Sequence, residues 1–123
     1  MGIQHISAVT LAVDDMARAV RFYRQVGFEL LYGGEGGTFT SFRVGEGFLN
    51  LILAPSPAKG WWGRVIFRVE GVDALYEDLI AKGLDPDRPR DATWGERYFH
   101  IKDPDGHELS FAELLRLGAQ APG

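Results

Sequence analysis

At 123 residues the chain can bury one core but cannot hold two large domains, and 46% hydrophobic with 24% charged residues marks a folded rather than a disordered polypeptide. The absence of cysteine removes disulfides, thiolate metal sites and cysteine nucleophiles together. A net charge of −4 without an acidic block, and Arg88 and Arg90 interleaved with Asp87 and Asp91, argue against nucleic acid as a partner.

The opening Met1-Gly2-Ile3-Gln4-His5 has neither the basic nor the apolar region of a leader. No stretch approaches the roughly eighteen apolar residues a membrane span needs, so a cytoplasmic protein without a membrane partner is expected. Val9, Leu11 and Val13 then alternate with Ala8, Thr10 and Ala12, which predicts a strand with one apolar face. Asp14 or Asp15 can cap a following helix, whose Met16, Ala19, Val20, Tyr23 and Val26 recur at helical spacing and whose end is marked by Gly27. Strands are predicted at Phe28 to Tyr32, Thr38 to Val44 and Phe48 to Leu53, separated by glycine-rich turns. Pro55 to Gly60 reads as a linker.

Beyond it the pattern starts again at an offset of 56 residues, which carries Ala8 onto Arg64 and Gly27 onto Gly83. Val65, Phe67 and Val69 repeat the strand, and Val72, Leu75, Tyr76 and Leu79 repeat the helix. A short extended piece near Leu84 to Pro86 and an irregular Arg88 to Trp94 loop lead to a strand at Tyr98 to Lys102. Asp103-Pro104-Asp105-Gly106 is turn chemistry, and a last strand runs from His107 to Glu113. The expected architecture is α+β, two tandem βαβββ modules with curved mixed sheets enclosing a cavity. One domain spans 1–123, with module one at about 5–54, a linker at 55–60, module two at about 61–114 and a frayed tail at 115–123.

The Leu11 to Met16 stretch with Phe22-Tyr23 and Gly27-Phe28, then Val69 to Tyr76, then Trp94 to His107, resemble the vicinal-oxygen-chelate superfamily of glyoxalases, bleomycin resistance proteins and extradiol dioxygenases. Trp94-Gly95-Glu96-Arg97 ahead of the Asp-Pro-Asp-Gly turn looks most like the bleomycin resistance branch. The superfamily's enzymes hold a divalent metal, and the resemblance places its ligand positions at Ala8, Asn50, Arg64 and Ser110. None is a His, Asp or Glu, and an alanine methyl plus an arginine cation supply no donor electron pair. No metal or other cofactor is therefore expected, with a site rebuilt from residues such as His100 and Glu108 as the alternative.

His100 shares parity with Tyr98, and by resemblance to fosfomycin-resistance transferases it should face the cavity, where an imidazole could move a proton. Its plainer account is a hydrogen-bonded strand histidine. Tyr98 and Trp94 could stack on a ligand or simply pack, and Asn50 and Ser110 could orient one or merely satisfy strand ends. Arg64 either reads an anion or pairs with a carboxylate such as Glu108, and the internal pair is favoured. His5 is out of phase with the cavity, His107 is expected to be solvated, and Trp61 and Trp62 suit a groove floor or a dimer contact. The ligand-binding set is thus Asn50, Arg64, Trp94, Tyr98, His100 and Ser110. Two readings follow: a metal-free homodimer that sequesters a small molecule such as an antibiotic, or a lyase, isomerase or dioxygenase type enzyme using His100 as acid or base or a rebuilt metal site.

Overall fold

A computed structural model of the chain describes residues 2, 5–54 and 64–115. The expected linker, Trp61, Trp62 and the tail from residue 116 lie outside the described residues. The chain falls into two compact units, Met1–Lys59 and Gly60–Gly123. Each has the same element order, and the class is α+β as expected.

In the first unit, β1 (Ala8–Val13) leads to α1 (Met16–Val26) and then to β2 (Glu29–Tyr32), β3 (Phe39–Val44) and β4 (Gly47–Leu53). The sheet order is β1-β4-β3-β2, with β1 parallel to β4 and the other neighbours antiparallel. In the second unit β5 (Arg64–Arg68), α2 (Val72–Ala81), β6 (Arg90–Asp91), β7 (Glu96–Lys102) and β8 (Glu108–Leu114) give the order β5-β8-β7-β6 with the same polarity.

The helices begin and end for identifiable reasons. Asp15 Oδ1 accepts the Arg18 N–H at 3.1 Å and caps α1, and Met16, Ala19, Val20, Tyr23 and Val26 are buried as the spacing predicts. At the end of α1 Gly27 turns left-handed, and the Phe28 N–H donates to the Tyr23 carbonyl at 3.0 Å. The end of α2 repeats this 56 residues on, where the Leu84 N–H donates to the Leu79 carbonyl at 3.0 Å. The start of α2 does not repeat. Gly71 has no side chain to cap with, and Glu113 of β8 accepts the Val72 N–H at 3.0 Å instead. The Val72 N–H first, and the Gly71 N–H second, hold the Glu113 carboxyl below its ordinary value.

Under each helix the core is aromatic. Tyr23 sits 5.4 Å from Phe28 and 5.7 Å from Phe42, while Phe111 is 5.3 Å from Phe67 and 5.5 Å from Phe99. Side chains of opposite parity occupy the other face of each sheet. There Thr10, Asn50 and Ser41 form one row in the first unit, matched by Ile66, Ser110 and His100 in the second.

One expected element moves. The sixth strand is Arg90–Asp91, not Leu84 to Pro86. Pro86 has no N–H to give a ladder, and beside His100 a side chain replaces the strand. Asp87 Oδ1 accepts the His100 N–H at 2.7 Å and the Asp87 N–H donates to the His100 carbonyl at 3.0 Å, so pairing with β7 resumes only at Arg90 and Tyr98. The module repeat is accordingly unequal: the offset of 56 that relates β1 to β5 has grown to 60 between Phe48 and Glu108, the partners of Ala8 and Arg64.

Candidate functional site

On the face of the second sheet opposite α2 lies a pocket of about 290 Å³. Its walls follow from strand parity. Phe99 and Ile101 turn into the core, so Glu96, Tyr98 and His100 must turn outward along β7. By the same rule β8 contributes Ser110 and Ala112, and β5 contributes Arg64 and Ile66. The segment between α2 and β7 adds Arg90 and Trp94.

The rings form a continuous row. Trp94 stacks on Tyr98 with an interplanar angle of 21° and centroids 6.1 Å apart, and Tyr98 lies 5.2 Å from the His100 ring. The Arg90 guanidinium sits 4.6 Å above Tyr98, and its Nε donates to the tyrosine hydroxyl at 3.1 Å. Glu96, with 1% of its surface exposed, accepts the Trp94 indole N–H at 2.8 Å and the Arg68 guanidinium at 3.2 Å. That carboxylate fixes the plane of the indole. Arg64 Nε donates to Glu108 Oε2 at 2.6 Å, the internal pair rather than a cation awaiting a ligand.

His100 Nδ1 is buried and has no hydrogen-bond partner. Burial first, and the nearby Arg64 charge second, push its imidazole below the usual histidine value, against the smaller upward pull of Asp87 and Glu108. The ring is therefore neutral near pH 7 and can accept or donate one hydrogen bond at the buried atom.

Of the residues proposed from sequence, Arg64, Trp94, Tyr98, His100 and Ser110 meet at this pocket. Asn50 belongs to the first unit, where its Nδ2 donates to Thr10 Oγ1 at 3.3 Å and its Oδ1 is buried without a partner. His5 is exposed. His107 is not solvated: only 12% of its side chain is exposed, and its Nδ1 lies 2.7 Å from Oδ2 of the fully buried Asp103. Asp103 Oδ1 also accepts the backbone N–H groups of Asp105 and His107, so the turn folds around this carboxylate and draws the imidazole in.

Sequence reasoning missed Glu96, Arg90 and Asp87. Glu96 was findable, since it shares parity with Tyr98 and His100. Arg90 and Asp87 were not, because their positions depend on β6 beginning late.

The sequence profile of the Glyoxalase/Bleomycin resistance protein/Dioxygenase superfamily matches residues 2–111. The chain belongs to this superfamily. Among its members, the chain is 32% identical to metallothiol transferase FosB of Shouchella clausii, an alignment covering 88% of this chain and 77% of the relative. It is 26% identical to a bleomycin resistance protein of Geobacillus stearothermophilus, covering 89% and 97%. Among solved structures, TnmS3, an antibiotic binding protein from Streptomyces sp. CB03234, is 27% identical with a TM-score of 0.77, covering 93% of this chain and 98% of that one.

The metal that the superfamily implies does not fit the donors present. Arg64 is committed to Glu108, Ser110 is buried to 3% exposure with only a hydroxyl to offer, and Ala8 has no donor at all. Among the described residues no three His, Asp or Glu side chains converge on a point.

Proposed function

We propose that this superfamily member binds a small molecule in the pocket on the second sheet and holds it by ring stacking and hydrogen bonds without a metal. The observation that carries this reading is the row Trp94, Tyr98 and His100 beside a neutral, buried and unpartnered imidazole nitrogen. The bleomycin resistance protein and the antibiotic binding protein among its relatives support sequestration of an antibiotic as the biological role. Calorimetric titration with bleomycin-type glycopeptides tests it. Saturable heats that vanish in Trp94→Ala are expected, and heats equal to dilution across the series overturn antibiotic sequestration. Metal analysis of purified protein gives a second check, in which stoichiometric zinc, manganese, nickel or iron would overturn the metal-free reading.

The unprotonated state of His100 favours one alternative, an enzyme of lyase or isomerase type in which this imidazole takes a proton from the bound molecule. Turnover of a substrate that is abolished in His100→Ala would favour it over sequestration. The reading extends to a cytoplasmic homodimer. Phe39, Ile52 and Tyr32 of the first unit are exposed, and light scattering that gives the mass of one chain would dispose of the dimer.

A further inference from the structure

We infer that the pocket selects an uncharged aromatic ligand bearing a hydroxyl or amide group, and rejects carboxylate and ammonium ligands of the same size. This rests on the reading of the face as a small-molecule site and names what the site takes.

Each charge on the face already has its counter-charge. Arg64 is paired with Glu108 at 2.6 Å, Arg90 with Asp87 at 3.2 Å, and Glu96 with Arg68 at 3.2 Å. Arg64 Nε is already held by Glu108, whose side chain is only 15% exposed, so a carboxylate arriving at the rest of that guanidinium would sit beside a carboxylate already in place. An ammonium fares no better. Both oxygens of Glu96 are occupied, one by the Trp94 indole and one by Arg68, and displacing the indole bond releases the ring that stacks on Tyr98. Among the described residues, a full charge therefore meets a group of its own sign beside each counter-charge on the face.

Hydrogen-bonding capacity is left unspent at one side chain of the row. His100 Nδ1 is buried and unpartnered, one strand across from the buried Ser110. Because the imidazole is neutral, Nδ1 is a donor in one tautomer and an acceptor in the other. A hydroxyl or amide satisfies either tautomer, whereas a carbonyl alone satisfies one. The rings of Trp94 and Tyr98 supply the apolar wall for the aromatic part, and about 290 Å³ suits a two-ring molecule.

Three bicyclic probes matched in size test this at neutral pH: naphthol, naphthoate and naphthylmethylammonium, substituted at the same ring position. Affinities come from calorimetry and contact residues from amide shifts of the labelled full chain. Naphthol should bind about tenfold or more tightly than either charged probe, and His100→Ala should cost it about tenfold while leaving the charged probes unmoved. His100→Asn, which keeps a polar atom near Nδ1, should recover part of the loss. Equal or tighter binding of a charged probe, or naphthol binding indifferent to His100→Ala, overturns the ligand class and leaves the binding site standing. If no probe shifts the amides of Tyr98, His100 and Ser110, the binding site falls with it.

Discussion

The indole of Trp94 and the carboxylate of Glu96, two residues apart, are joined by a 2.8 Å hydrogen bond that turns the larger ring parallel to Tyr98. The carboxylate is almost wholly enclosed and has Arg68 on its other oxygen. A pocket wall is thus oriented by a buried charge rather than by apolar packing alone.

Glu96→Ala should release this arrangement in two ways. The indole N–H and the Arg68 guanidinium lose their acceptor, which costs about 2 kcal/mol of stability in urea unfolding. Trp94 fluorescence should become more red-shifted and ligand affinity should fall. Glu96→Gln keeps an acceptor for the indole and should retain most of the affinity; equal losses in both variants would show that charge rather than ring placement matters.

His107 and Asp103 give a stability term with a definite sign in pH. The hydrogen bond to Asp103 chiefly raises the His107 value above its ordinary 6.5. A group raised on folding stabilises fully below its unfolded pKa and loses that contribution as pH rises through the folded one. His107→Gln should therefore destabilise by about 2 kcal/mol at pH 6, and the gap to the native chain should shrink in alkaline solution. Parallel denaturation curves at the two pH values measure it, and a gap that widens with pH contradicts the pair.

His100 has the opposite sign. Its folded value lies below 6.5, so the neutral ring favours the native state above the unfolded pKa and that support is lost as pH falls through the folded value. Arg64 is the second cause of the depression, after burial. Arg64→Met should raise the His100 midpoint in an NMR titration, the more so because Glu108 then faces it uncompensated. An unchanged midpoint would remove Arg64 from the electrostatics of the site.

Gly33 takes φ = +82°, and a β-carbon there would collide with the Phe39 carbonyl oxygen. Gly33→Ala should cost about 3 kcal/mol in thermal or urea unfolding, since neither the backbone angle nor the space accepts a side chain. Gly36 has open space around it and no positive φ, and Gly36→Ala serves as the near-neutral control.

Much of the fold was legible because the chain says it twice. The period-two strand and the helical stripe recur at one offset, and the left-handed Gly27 and Gly83 end both helices with the same backbone bond. Parity put Tyr98 and His100 on one face, and the family resemblance said which face it was. Parity fails where a side chain substitutes for backbone. Asp87 replaces part of an edge strand, Glu113 caps a helix 41 residues before it in the chain, and Asp103 folds a turn inward around His107. Each is a polar group whose job is set by a neighbour distant in sequence or by a local turn, and no periodicity reports it.

The unequal spacing of the two modules has one more implication. Both β5 and β8 keep the cross-strand partners of β1 and β4, so the four additional residues of the second half were absorbed in its connections, mostly in the stretch that delivers Asp87, Arg90 and Trp94. A segment whose length can change while the pairing of β5, β8 and β7 is kept is one in which pocket lining can drift under selection, or be exchanged by an engineer between relatives, at little risk to folding.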